Sequence, residues 1–159
     1  MYRFLSLILL AALLVFGSRS DAAVTATPVF VQTPKFAHVQ ITNANNLTAQ
    51  TLYTCGANGS KIIGMWATST DTTARDVQIS ILNTSTYNMV TILVPINAGS
   101  VDTTPAVNLM SLANMPGLPL DSDGNPFFYC ASGDVIQAGM VVQLTAAKFM
   151  NVFAVVADF

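Results

Sequence analysis

Asp76-Val77-Gln78-Ile79-Ser80-Ile81 alternates polar and apolar residues without a break. Successive side chains of an extended chain point to opposite faces, so Val77, Ile79 and Ile81 share one face and Asp76, Gln78 and Ser80 the other. That period of two predicts a half-buried strand. Working outward, similar short runs lie at Phe36–Thr42, Ala49–Thr54, Lys61–Thr68, Tyr87–Val94, Val107–Leu112, Pro126–Cys130, Met140–Ala146 and Phe149–Ala157. The breaks between them carry turn chemistry: Asn43-Ala44-Asn45-Asn46, Gly56-Ala57-Asn58-Gly59, Asn83-Thr84-Ser85, Asn97-Ala98-Gly99-Ser100 and Asp121-Ser122-Asp123-Gly124-Asn125-Pro126. Gly, Asn and Asp tolerate positive φ or bond their own backbone, which is what tight turns need. About nine short strands at this spacing predict an all-β fold, an antiparallel β-sandwich or jelly-roll-like domain. Met110 to Leu120 reads either as a long loop or as a loop preceded by a helical turn.

Before the strands the chain is different. Phe4 to Phe16 is an almost wholly apolar run of 13 residues, preceded by Arg3 and followed by Gly17, Ser18, Arg19, Ser20 and Asp21. A charged start, a short apolar stretch and the small residues Ser20 and Ala22 describe a hydrophobic N-terminal helix of the secretory-signal type. It is shorter than the roughly 20 residues a spanning helix needs, so the expectation is a cleaved leader that meets the membrane only in transit. The predicted organisation is a leader over residues 1–23 and a single β-sandwich domain over 24–159.

Composition narrows function. After residue 23 the charged side chains are Lys35, Lys61, Arg75 and Lys148 against Asp71, Asp76, Asp102, Asp121, Asp123, Asp134 and Asp158, and the chain contains no Glu. A nucleic-acid surface needs clustered Lys and Arg to displace counterions, so none is expected. Few Lys, Arg and Glu also leave little to fill exposed helical faces. No phosphate-binding glycine loop, nucleophile elbow or His-Glu metal helix is present. The chain therefore reads as non-enzymatic, with no cofactor and no small-molecule substrate.

Cys55 and Cys130 are the only cysteines, and each ends an apolar run before a turn. Export would expose them to an oxidising compartment and permit a disulfide, whereas two buried thiols are the other reading. His38 is the only histidine; it sits between Ala37 and Val39, shares a strand face with Phe36 and Gln40, and reads as a surface or interface residue. Asp121-Ser122-Asp123-Gly124-Asn125 starts like a calcium loop, but Ser132 stands where the twelfth-position Glu belongs, so it reads as a turn. Met65, Trp66, Tyr87, Met89, Phe127, Phe128 and Tyr129 place aromatic and Met side chains on both faces of predicted strands. With so few charges, such surfaces are typical of interface cores, and self-association or docking on a larger assembly is expected.

Several stretches resemble a family of small structural proteins of tailed bacteriophages. They are Pro28-Val29-Phe30-Val31-Gln32-Thr33-Pro34-Lys35, Thr51 to Ile62, Thr68 to Gln78, Thr104 to Leu109, the Leu118 to Pro126 turn and the ending Asn151 to Phe159. They keep one order and together cover nearly the whole chain after the leader. The resemblance implies a virion component of the head-decoration or minor capsid type, which associates with itself and with a major capsid protein. It brings no catalytic residues. The leader and the cysteine pair depart from that family's pattern and favour an alternative, a secreted or periplasmic β-sandwich adhesin or carbohydrate-binding module in which Trp66 and the tyrosines stack on sugar faces.

Overall fold

Two antiparallel sheets form because the alternating runs find partners far away in sequence. The computed structural model describes residues 33–45 and 47–159. The proposed leader and the start of the domain, residues 1–32, lie outside the described residues. Nine strands run in chain order: β1 Thr33–Thr42, β2 Gln50–Thr54, β3 Ser60–Ser69, β4 Arg75–Leu82, β5 Thr86–Val94, β6 Val107–Asn108, β7 Phe128–Cys130, β8 Val135–Met140 and β9 Phe149–Asp158. One sheet has the order β1-β9-β3-β6, with β7 also on β3, and the other has the order β2-β8-β4-β5. β1 pairs with β9, β2 with β8, β3 with β6 and β7, and β4 with β5. The chain thus runs out and back as one long hairpin with its tip between β4 and β5. Rolling that hairpin adds the β3–β9 and β4–β8 pairings.

The period of two decides what lies between the sheets. Ile41 of β1, Met150, Val152, Ala154 and Val156 of β9, and Ile62, Met65 and Ala67 of β3 face Val77 and Ile79 of β4, Ile136, Ala138 and Met140 of β8, and Ile92 and Val94 of β5. Every one of them is buried. Removing that apolar area from water, at about 25 cal/mol per Å², is the main force closing the sandwich.

Two expectations are corrected and a third is resolved. Met140–Ala146 is not a strand; β8 is Val135–Met140, and residues 141–148 form a loop with Val141 and Val142 exposed. Small Ala138 and Gly139 weaken the apolar signal of β8, yet the strand is central, between β2 and β4. A Cβ on Gly139 would stand 3.4 Å from the Ala49 Cα, an ordinary van der Waals contact, so the backbone approach does not by itself demand glycine. Val107–Leu112 shrinks to a two-residue strand, and Leu109 and Met110 turn into the core instead. Met110 to Leu120 is a loop whose one helix-like turn is closed by the Met115 amide on the Ser111 carbonyl.

The β2–β3 turn is built for glycine. Gly59 has φ +86°, and an added Cβ would meet the Cys130 carbonyl oxygen at 2.9 Å. Both the left-handed backbone and the contact oppose a side chain. Gly59→Ala is expected to lower the unfolding free energy by about 1–3 kcal/mol, seen as a lower urea midpoint at unchanged slope. An unchanged midpoint would show that the turn relaxes freely.

Candidate assembly face on the five-stranded sheet

The outer face of the sheet containing β1, β9 and β3 is where the aromatic side chains gather. Inward residues of β9 are the even-numbered Met150 to Val156, so Phe153 and Val155 face out. Register then brings neighbours into line: His38 pairs with Phe153, and Phe153 with Trp66. The Trp66 and Phe153 rings stack with centroids 5.4 Å apart and planes 22° apart. Phe36 leans in, 5.7 Å from both Trp66 and Phe153. His38 lies 6.3 Å from Phe153. Phe36 is 60% exposed, so the cluster opens to solvent. A bulge in β3 between Ile62 and Gly64 sharpens the relief. It leaves Ile63 exposed, and the Gly64 position next to Val155 is open space.

A second aromatic group continues the face toward β7. Phe127 and Tyr129 meet edge to face at 5.2 Å, and Tyr129 lies 5.7 Å from Phe159. The Lys61 ammonium sits 4.0 Å above the Phe127 ring, so the cation is held on an aromatic surface. Lys35, whose register partner is the inward Val156, is not on this face; at the end of the sandwich it pairs with Asp158. Asp158 also accepts from the Tyr53 hydroxyl at 2.6 Å and the Ser60 hydroxyl at 2.5 Å. Lys35, then Ser60 and Tyr53, hold its carboxyl down at about 2. Tyr53 belongs to the opposite sheet, so this cluster ties the two sheets at one end. Around the rings the face is apolar, with the Lys61 ammonium held on Phe127, and farther along β1 and β9 the Gln40 and Asn151 side chains hydrogen-bond to each other.

Of the residues singled out from sequence, Trp66, Phe127 and Tyr129 belong to this face. Met65 and Phe128 do not: they are 1% and 7% exposed and point into the core, because a residue beside an outward one on a strand faces inward. Tyr87 and Met89 are exposed on β5 of the other sheet, where Met89 and Asn114 to Leu118 line a shallow apolar cavity of about 330 Å³. Phe36 and Phe153 were missed. Their signal was the odd-even pattern of β9 and the Phe36–His38–Gln40 face of β1, which says which residues are neighbours only once β1 is known to pair with β9. Cys55 and Cys130 are joined in a disulfide with Cα atoms 6.2 Å apart, linking the end of β2 to the end of β7 and so one sheet to the other. The Asp121 loop is closed on itself: the Asp121 carboxylate accepts from the Asp123 and Asn125 amides at 3.0 and 2.8 Å. Among the described residues no group of three or more His, Cys, Asp or Glu side chains is placed to hold a metal.

A solved structure shares this architecture. A chain in the "acidic stable capsid structure of Helicobacter pylori bacteriophage KHP30" is similar with a TM-score of 0.51 and 11% identity, over 82% of this chain and 90% of that one. At that identity the likeness is one of fold. No protein-family model matches the chain, and no curated protein does.

Proposed function

We propose that this chain is a virion structural protein, a decoration or minor capsid subunit that stabilises a shell by docking its aromatic face on a neighbour. The observation that carries the reading is that face: Phe36, Trp66 and Phe153 are clustered on the outside of a sandwich whose fold is like that of a phage capsid chain. The rolled-hairpin strand order is the jelly roll, an architecture common in viral shells. The partners are a major capsid protein and further copies of the chain, and the location is the particle. Binding only the assembled shell, such a subunit raises the shell's stability by mass action.

A secreted adhesin or carbohydrate-binding module remains the competing reading, and the leader and disulfide suit it. Sugar stacking needs a free aromatic face. Trp66 gives one face to Phe153, and Phe36 leans in 5.7 Å away, so the Trp66 ring is less free to stack on a sugar than a lone aromatic would be.

The test is addition of the purified chain to shells that lack it. The chain is expected to co-sediment with shells and raise their melting temperature. Phe36→Asp, at an exposed position that leaves the core intact, is expected to weaken binding by about 30-fold or more, the effect of losing about 2 kcal/mol at a hot spot. Equal binding by Phe36→Asp removes the face from the interface. If the chain instead stays in the secreted fraction, with an N-terminus near residue 24, and binds glycans in a Trp66-dependent way, the virion reading is wrong.

A further inference from the structure

The sandwich has four lateral edges, and three of them are blunted. β6 and β7, which share the outer edge of β3, are two and three residues long. β2 has five residues and a bulge between Thr51 and Tyr53. β1 is long, but it opens with Pro34 and Lys35. Short strands, bulges, prolines and lysines are how proteins stop an edge's unpaired N–H and C=O groups from capturing another chain. β5 differs. Its nine residues, Thr86-Tyr87-Asn88-Met89-Val90-Thr91-Ile92-Leu93-Val94, contain no charge, no Pro and no Gly. Among the described residues it pairs with β4 alone. A bulge at Met89 interrupts its first half, but Val90–Val94 stay in continuous register against Arg75–Ile79. Thr91 and Leu93 on that segment are exposed, Leu93 at 58%.

We propose that the β5 edge pairs antiparallel with β5 of a second copy about a twofold axis, which joins the two four-stranded sheets into one sheet across the dimer. A second copy is the occupant that fits. Antiparallel pairing about a twofold is self-complementary, so one surface serves both partners. A strand without charge brings no like charges together in doing so. The same lack of charge offers no handle for selecting a different partner. This dimer is separate from the virion reading: it forms in solution without any shell, through the sheet opposite the aromatic face.

Sedimentation equilibrium of the full chain, of Thr91→Lys and of Thr91→Val tests it. Thr91 is exposed and pairs with Gln78, so neither change disturbs the core. The wild type and Thr91→Val are expected at twice the chain mass. Thr91→Lys sets two ammonium groups close together across the axis and is expected to raise the dimer dissociation constant about tenfold or more. Amide exchange of the wild type gives a check that needs no variant: alternate amides of Val90–Val94 should be protected at high concentration and released on dilution. A wild-type monomer, an undiminished Thr91→Lys dimer, or exchange at Val90–Val94 that ignores concentration overturns the proposal. Shell binding by an obligate monomer would leave the virion reading intact while removing the β5 dimer.

Discussion

Replacing Cys55 and Cys130 together by alanine is expected to lower the unfolding free energy by about 4 kcal/mol, roughly 15 °C in Tm for a domain of this size. The bridge closes a loop of 75 residues, and both half-cystines are 4% exposed. Cross-linking residues so far apart removes many conformations from the unfolded chain, and the chain-entropy model gives the figure above. The position adds to the effect. The bond runs from β2 in one sheet to β7 in the other, so it holds the sandwich closed at the end where the Asp158 cluster also sits. Urea titrations of the double variant and of the wild type, with and without reductant, check it. The variant should also show a steeper slope, because an unbridged unfolded chain exposes more surface. A variant within 1 kcal/mol of the wild type would mean that the sheets are held by packing alone.

Asp71→Ala is expected to cost about 3–5 kcal/mol, the usual result of removing one partner from a buried ion pair. The Asp71 side chain is fully buried. It accepts from the Arg75 Nε at 3.0 Å, the Thr73 amide at 3.1 Å, the Thr145 amide at 3.0 Å and the Thr145 hydroxyl at 2.6 Å. These partners come from the start of β4, the turn before it and the loop before β9, so one carboxylate ties together the end of the sandwich opposite the disulfide. Burial alone pushes the Asp71 pKa up, but the Thr145, Arg75 and Thr73 hydrogen bonds outweigh it and hold the group well below the usual carboxylate range. The consequence for pH has a definite sign. A carboxyl whose folded pKa lies below its unfolded value of 3.8 contributes stability that is fully present above that value and is lost as pH falls toward the folded pKa. Asp158, held at about 2, acts in the same window. Stability should therefore decline from about pH 4 downward, and Asp71→Asn should flatten that decline. An acid profile identical in Asp71→Asn and the wild type would show that Asp71 carries none of it.

The sequence showed no trace of this network. Asp71-Thr72-Thr73 resembles Asp102-Thr103-Thr104, yet Asp71 is buried and the exposed Asp102 has no such role. Nothing local separates them, because the deciding partner, Thr145, is 74 residues away. The disulfide was legible as a pair of candidates and no further, since proximity of two Cα atoms is a tertiary fact. The interface residues were half legible. Trp66, Phe127 and Tyr129 lie on the aromatic face, but Met65 and Phe128, their immediate neighbours, are core. A run of large apolar residues does not announce which parity faces solvent.

What the sequence determined by itself is what local forces decide. Alternation of apolar and polar residues over four to ten positions makes strands, and Gly, Asn and Asp between them make turns. Eight of the nine strands follow from that, including the Val77–Ile79–Ile81 face that packs in the core; β8, with its small Ala138 and Gly139, does not. Only the tertiary structure decided which strands meet. Thr33 pairs with Asp158 and Lys35 with Val156, at opposite ends of the domain. That pairing sets Phe36 beside Phe153 and joins Lys35 to Asp158, while the β4–β5 pairing leaves the uncharged Val90–Val94 half of β5 on a sheet edge. Each of these depends on burial and hydrogen bonding summed over both sheets, a quantity that no short stretch of residues contains.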